Sequence, residues 1–265
     1  MKITGVMHVH STYSYDGKES LTSLRELFLS KGHSFCFVTE HTDALTPEKA
    51  ALFVQECKSL TTGSFVFIPG FEVPYRNAHI LMLGSCVFLG QKADAQMLRQ
   101  WSEHAELTVL AHPVRNNFVL DSVMEEVIDG VEVWNAQYDG KLVPRTRAVK
   151  LYKELQQKKQ SLLATGGLDF HRTEHLGAPV LTLDTETCTE RDIIQTIQSG
   201  SYSFGTSLRS VSSASMWPGK GSATDIVLSL FSITTISIGK LTNKLLAKLG
   251  IKLPKKLART IRKKI

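Results

Sequence analysis

Through the first 206 residues, short apolar runs alternate with helical patterns, and most of the runs end on a histidine or a carboxylate. This alternation constrains the fold more than any other feature of the chain. Strands buried on both faces appear as continuous apolar runs, and parallel strands need crossover connections that helices supply. The polar residues fall where such runs stop. His8-Val9-His10-Ser11 and Asp16-Gly17 follow the first run, and Glu40-His41 the second. Gly70-Phe71-Glu72, His79, Ala111-His112-Pro113 and Asp169-Phe170-His171 come later. Catalytic groups of an α/β barrel sit at the C-terminal ends of its strands, so fold and chemistry point the same way.

The periodicity predicts strands over 3–9, 35–39, 65–68, 79–83, 108–111, 131–134, 162–165, 180–183 and 202–204. Helices are predicted over 21–30, 47–60, 93–105, 123–128, 142–158 and 190–199. Ser20 is an N-cap for the first, and Pro47 opens the second. Residues 210–222 are rich in Ser and Gly and predict a linker. The expected fold class is α/β, with parallel strands joined by helices. Four widely spaced cysteines without a CxxC predict reduced thiols in an intracellular protein, and MKITGVMHVHST is too short and polar for a signal peptide.

The net charge of +6 is unevenly spread. Residues 1–206 carry 19 Lys+Arg against 24 Asp+Glu, a net of −5, whereas residues 207–265 carry 12 against Asp225 alone, a net of +11. An acidic domain over 1–206 is therefore expected to precede a linker and a basic, partly helical tail over 207–265. In the tail, residues 226–239 are uncharged and apolar, shorter than the roughly 20 residues a spanning helix needs. Leu241, Leu245 and Leu249 then recur on one helical face, with Lys244 and Lys248 alongside. Such a segment suits an anionic membrane surface. Nonspecific capture of nucleic acid is the less favoured partner, and packing on the outside of the domain is the plain alternative.

His8 and His10, at spacing two, leave a strand on the same side and can share an ion. One such pair is weak evidence; the accumulation carries the weight. Nitrogen and carboxylate donors together suit Zn, Mn or Fe, and no cysteine is placed to form a structural zinc site. Two such ions acidify water and neutralise charge on a phosphoryl oxygen.

The order HxHS, DG, EH, GxE, H, AHP and DxH over residues 1–206 resembles the PHP (polymerase and histidinol phosphatase) family. The resemblance implies a distorted seven-stranded (β/α) TIM-like barrel and a cofactor of two or three divalent ions at its C-terminal face. It implies His8, His10, Asp16, His41, Glu72, His79, His112, Asp169 and His171 as metal ligands. His8, His10, Glu72, Asp169 and His171 are the expected catalytic set. The activity implied is hydrolysis of a phosphate monoester by a metal-bridging hydroxide. Glu40 departs from the Asp more usual before the second-motif histidine. The short interval between His79 and His112 resembles the minimal form of the family and favours a phosphorylated small molecule over a nucleotide bisphosphate or an RNA end. The amidohydrolase barrels also open on HxH, but they usually carry a strand-borne lysine that this chain lacks.

Anionic substrates need cations beside the metals. Arg115 and Arg172, following His112 and His171, are the expected substrate-binding cations, with Asn135 at the end of its strand; Arg76 is a weaker candidate. Tyr13 and Tyr15 are candidates for the rim. Glu132 is expected to be structural, and His33, His104 and His175 to stand outside the chemistry. The reading is a cytoplasmic, metal-dependent phosphoesterase, peripheral to the inner membrane face through its tail. Its alternatives are a phosphodiesterase or nuclease, and a non-catalytic metal-binding barrel whose tail does the binding.

Overall fold

The computed structural model describes residues 1–206, 210–213 and 223–248, with side chains in the last span described for 227–239, 241 and 242. The elements run β1 (Lys2–Val9), α1 (Leu21–Leu29), β2 (Phe35–His41), α2 (Pro47–Leu60), β3 (Val66–Tyr75), β4 (Ala78–Leu83), α3 (Ala95–Glu103), β5 (Leu107–Ala111) and α4 (Ser122–Val127). They continue with β6 (Gly130–Asn135), α5 (Ala136–Asp139), α6 (Thr146–Lys158), β7 (Leu163–Gly167), β8 (Val180–Asp184), α7 (Glu190–Gln198), β9 (Tyr202–Gly205), β10 (Ser210–Ser212) and α8 (Ala223–Lys248). Helix starts follow their caps. The Ser20, Thr46, Asp94, Asp121 and Thr189 side chains each accept a backbone N–H three residues on, so α1, α2, α3, α4 and α7 begin one residue after a capping oxygen.

One sheet holds ten strands, in the order β10-β9-β8-β1-β2-β3-β4-β5-β6-β7. The expected number was seven; β8, β9 and β10 add an antiparallel wing beyond β1. The sheet is also mixed rather than parallel throughout. β1, β2 and β3 run parallel, as do β5, β6 and β7, but β4 is antiparallel to both neighbours. Only Arg76 and Asn77 separate β3 from β4, too little chain for a crossover, so the strands fold as a hairpin with Arg76 at φ +52°.

The sheet curls as a half-barrel. The N-terminal half of β1 pairs with β8 over Lys2 to Gly5. Its C-terminal end instead meets the chain just after β7: Leu168 N–H donates to Met7 O at 2.9 Å, Phe170 N–H to His8 O at 3.0 Å, and His10 N–H to Phe170 O at 2.8 Å. The curl thereby brings the first and last parts of the histidine-rich pattern together. Trp101, Trp134, Tyr75, Tyr152 and the phenylalanines of β2 and β3 are fully buried beneath this surface.

β3 is longer than the four residues predicted, because it continues through Pro69 and Gly70 in register with Val38 and Thr39 of β2. A Cβ at Gly70 would stand 2.5 Å from Met82 O, so the close approach of β4 requires glycine. The helix predicted over 142–158 begins only at Thr146, after the short α5; Pro144 disfavours helical backbone at Val143. The predicted linker begins instead as β10, paired with β9, so the sheet runs past residue 206. Beyond β10, the described part of the tail is the helix α8, which rests on α5 and α6. No described helix is long and apolar enough to cross a membrane. The expected positions of Lys244, Leu245, Lys248 and Leu249 lie outside the described side chains, as does the basic stretch beyond them.

Candidate metal centre

Each polar residue of the pattern is delivered to one end of the curled sheet. His8 comes from the end of β1 and His10 from just beyond it, where a register shift interrupts the β1–β2 pairing. His41 ends β2, Glu72 lies in β3, His79 in β4, and His112 follows β5 directly. Asp169 and His171 follow β7, and Asp16 comes from the β1–α1 loop. That loop folds tightly: a Cβ on Gly17 would meet Ser11 O at 1.8 Å, and Lys18 N–H donates to His171 O. His8, His112 and Asp169 all have positive φ, at +63°, +25° and +49°. Left-handed backbone costs a non-glycine residue on the order of 1–3 kcal/mol, and here it turns three side chains into one site.

Glu72 is the hub, wholly buried. Its Oε2 lies 3.1 Å from His8 Nε2, 3.2 Å from His10 Nε2 and 3.3 Å from His41 Nδ1. Its Oε1 lies 3.0 Å from His112 Nε2 and also contacts His79 Nδ1. Asp169 Oδ1 stands 3.6 Å from His8, 3.7 Å from His10 and 3.6 Å from His171. Asp16 Oδ2 stands 3.1 Å from His171 and 3.6 Å from His41. The two oxygens of Glu72 therefore divide the histidines into two groups.

The donor set fits divalent metal. Four overlapping triads each place their ligand atoms within 4.8 Å of one another: His10–His41–His171, His8–His10–Glu72, His8–His112–Asp169 and His41–Glu72–His79. Asp16 is the one expected ligand outside these triads. Buried His10 Nε2, His112 Nδ1 and Asp16 Oδ1 have no hydrogen-bond partner. Buried polar atoms are normally paired, and the orphaned His10 Nε2 faces the Glu72 and Asp169 carboxylates, where a cation would satisfy all three.

Proton affinities show the same packing of charge. Burial alone would lower the pKa of His8, but Glu132, Glu72 and Asp169 outweigh it and hold His8 well above its ordinary value. Burial is likewise overcome at His41, which Glu72 and Asp16 raise to about 9. Burial together with cationic His41 and His171 drives His10 down to about 3. Burial opposes ionisation of Glu72 and Asp169, yet the histidines keep both acidic, Glu72 well below its ordinary value and Asp169 at about 2.

A second layer holds these groups. Glu132 Oε1 accepts from His8 Nδ1 at 3.0 Å, which leaves Nε2 as the ligand atom. Glu132 Oε2 accepts from His112 N–H at 2.7 Å and from Asn135 Nδ2 at 2.9 Å. Gly167 makes room for this: a Cβ there would stand 1.9 Å from Glu132 Oε1 and 2.8 Å from His8 Cβ. Glu132, read from sequence as structural, is thus part of the site. Its signal was a carboxylate inside the apolar run of β6. Glu40 is no ligand. It accepts from Ser11 N–H and from the hydroxyls of Ser11 and Ser14, while Ser14 Oγ accepts from His41 N–H at 2.9 Å. Burial raises the Glu40 pKa. Ser14, which nothing in the sequence singled out, also lies 3.3 Å from His10 Nδ1.

Asn135 is fully buried. Its Nδ2 also reaches Asp169 Oδ2 at 3.5 Å, and its Oδ1 caps α5 at Gln137 and Tyr138 N–H. Arg115 and Arg172 are exposed. Arg172 Nε donates to His175 Nε2 at 3.0 Å, and His175 in turn accepts His171 N–H, so this histidine borders the cluster. Tyr15 stacks on His41 with ring centres 5.1 Å apart, and Tyr138 tilts over His112 at 5.2 Å. Burial raises the pKa of both tyrosines, and the Arg115 charge opposes that rise. Arg76 instead pairs with Asp121 at 2.9 Å.

No protein-family model matches the sequence, and no curated protein matches it. Solved structures do. A two-domain protein from Bacteroides vulgatus, containing a predicted PHP-like metal-dependent phosphoesterase, superposes with a TM-score of 0.59 at 13% identity, over 88% of this chain and 70% of that one. The chain has the PHP-like fold. Looser matches, both with a TM-score of 0.49, are a protein taken to be a metal-dependent phosphoesterase from Bifidobacterium adolescentis and a lesion-specific endonuclease from Pyrococcus furiosus. The first is 14% identical over 73% of this chain and 95% of that one, the second 15% over 77% and 58%. Fold likeness at this identity leaves function to the site.

Proposed function

We propose that this protein is a metal-dependent phosphoesterase that hydrolyses phosphate monoesters of small molecules. The observation that carries the reading is the division of Glu72 between two groups of histidines, with Asp169 and Asp16 closing the ring. His8, His10, Asp16, His41, Glu72, His79, His112, Asp169 and His171 would hold two or three ions of the Zn, Mn or Fe kind. Bound there, such ions acidify water and neutralise developing charge on a phosphoryl oxygen.

The chain's own residues supply the rest. Glu132 keeps a proton on His8 Nδ1 and so aims Nε2 into the centre. Asn135 fixes Glu132 and Asp169 relative to each other. Arg115 and Arg172 offer cations at the rim for the phosphate oxygens that do not react. Tyr15 and Tyr138 flank the entrance over His41 and His112. Between His79 and His112 the chain holds only the rest of β4, α3 and β5, with no inserted domain to grip a polymer. That favours a small substrate.

The test compares an aryl phosphate monoester with the corresponding diester, with added Mn²⁺ or Zn²⁺. Wild type is expected to cleave the monoester faster. His10→Ala is expected to lose roughly 100-fold or more in kcat, and Arg115→Ala to raise KM with a smaller change in kcat. Preferential cleavage of the diester would replace the monoester reading. Activity untouched by His10→Ala would remove the enzymatic one.

A further inference from the structure

The tail helix α8 half-buries Leu228, Ile233 and Ile236 but leaves a second apolar side uncovered. Ser229 and Ser232 are buried, and Ser232 faces α5, where a Cβ on Gly140 would stand 3.1 Å from its side chain. Val227, Leu230, Phe231, Ile238 and Leu241 point outward, each 59% to 69% exposed. Their successive spacings of three, one, seven and three residues place them along one side of the helix. Of the twelve large hydrophobic residues exposed among the described residues, these five are on α8; the others are scattered over the N-terminus, loops and other helices. An apolar face of this kind, interrupted only by the exposed Thr234, marks an interaction surface, whereas isolated exposed apolar residues do not.

The chemistry of the occupant follows from charge. Residues 226–239 contain no charged side chain, and residues 240–265 contain ten Lys+Arg and no acid. An apolar strip continuous with a dense cationic segment matches the layered chemistry of an anionic lipid surface, with acyl chains beneath phosphate headgroups. A second copy of the chain would cover the apolar strip but set ten cations against ten more. Nucleic acid would satisfy the cations and leave leucine and phenylalanine in water. The strip from Val227 to Leu241 is roughly 21 Å long, enough to lie in the interface. No described helix is long and apolar enough to span a bilayer.

We infer that α8 is an interfacial membrane-docking helix that seats the phosphoesterase-like domain on an anionic lipid bilayer, with its Val227–Leu230–Phe231–Ile238–Leu241 face in the acyl boundary.

Cosedimentation of the full chain with vesicles tests this. Vesicles of phosphatidylcholine alone are compared with vesicles containing about a third phosphatidylserine. Wild type is expected to bind the anionic vesicles, to bind neutral ones weakly, and to lose binding as salt rises. The double variant Leu230→Asp/Phe231→Asp is expected to lose at least about tenfold in partitioning, with circular dichroism and bound metal unchanged. Four results would overturn the inference: no binding to anionic vesicles; equal binding to neutral vesicles; binding unaffected by the double variant, which is electrostatic capture alone; or a dimer in sedimentation that the double variant dissociates. None of these bears on the metal centre, whose test is hydrolysis.

Discussion

Gly167→Ala puts the supporting layer of the metal centre to a direct test. The added methyl would stand 1.9 Å from Glu132 Oε1 and 2.8 Å from His8 Cβ, where ordinary contact begins near 3.4 Å. Glu132 must move by more than 1 Å, roughly the difference between those separations, and Oε1 is the atom that receives His8 Nδ1. Overpacking of a tight interior costs about 1–3 kcal/mol, and a lost hydrogen bond to a charged group adds about 1.5–3 kcal/mol. Together these predict a loss of about 3–5 kcal/mol, or a fall in Tm of at least about 6 °C for a chain of this size. His8 also loses the partner that fixes its tautomer, so metal affinity is expected to drop on the order of 10- to 100-fold. Thermal melts with and without metal, and calorimetric titration with Zn²⁺, measure both effects. Gly63→Ala is the control, since a Cβ there meets nothing within 4 Å. A Gly167→Ala protein with wild-type Tm and metal affinity would refute the reasoning.

Two further predictions rest on charge. In the metal-free protein His41 is held at about 9, against burial, by Glu72 and Asp16, above its ordinary value of 6.5. A raised folded-state pKa gives stability that is complete below 6.5 and disappears as pH rises through about 9. A divalent ion must displace that proton, so metal affinity is expected to climb across the same window; melts of chelator-treated protein and titrations in buffers of different ionisation enthalpy check the two halves. Burial pushes Asp139 up to about 6 despite its bond to Arg145. Arg145→Met therefore strands a buried carboxylate and is expected to cost about 3–5 kcal/mol near neutral pH. Because the lone Asp139 is neutralised by acid, the loss should shrink below its raised pKa, and a chemical-denaturation series over pH reports it.

The strand ends were legible because burial on both faces leaves β2, β5 and β6 as mostly apolar runs, and the polar residue that stops each run lies in the cluster. His41, His112 and Asn135 were placed correctly at such ends for that reason. The antiparallel β4 was not legible: helix–strand alternation suggests crossovers, and only the two-residue Arg76–Asn77 turn shows that none fits. Strands β8 and β9 were predicted over 180–183 and 202–204, but their antiparallel pairing beyond β1 was not, nor was β10, whose Ser-Val-Ser lies in the segment that composition assigns to a linker. Within the site, the candidate ligands were picked out by residue type, but the groups that hydrogen-bond to them were not. Ser14 and Glu40 form a network visible only in three dimensions. Glu132 looked structural because a carboxylate in a buried strand has many explanations until its two oxygens are seen on His8 and His112. The positive φ of His8, His112 and Asp169 is likewise a product of the curled sheet, with no local glycine to announce it.

Metal stoichiometry in wild type and Glu72→Gln tests the central claim most directly. Glutamine keeps the shape of Glu72 but offers one neutral oxygen where two anionic ones face His8, His10, His41, His79 and His112. Elemental analysis of protein purified without chelator is expected to give two or three equivalents of divalent metal per chain for wild type. Glu72→Gln is expected to hold at least one equivalent fewer, with phosphomonoester hydrolysis lost in parallel. A wild-type protein that binds no stoichiometric metal, or a Glu72→Gln protein that keeps its full complement and activity, would contradict the account.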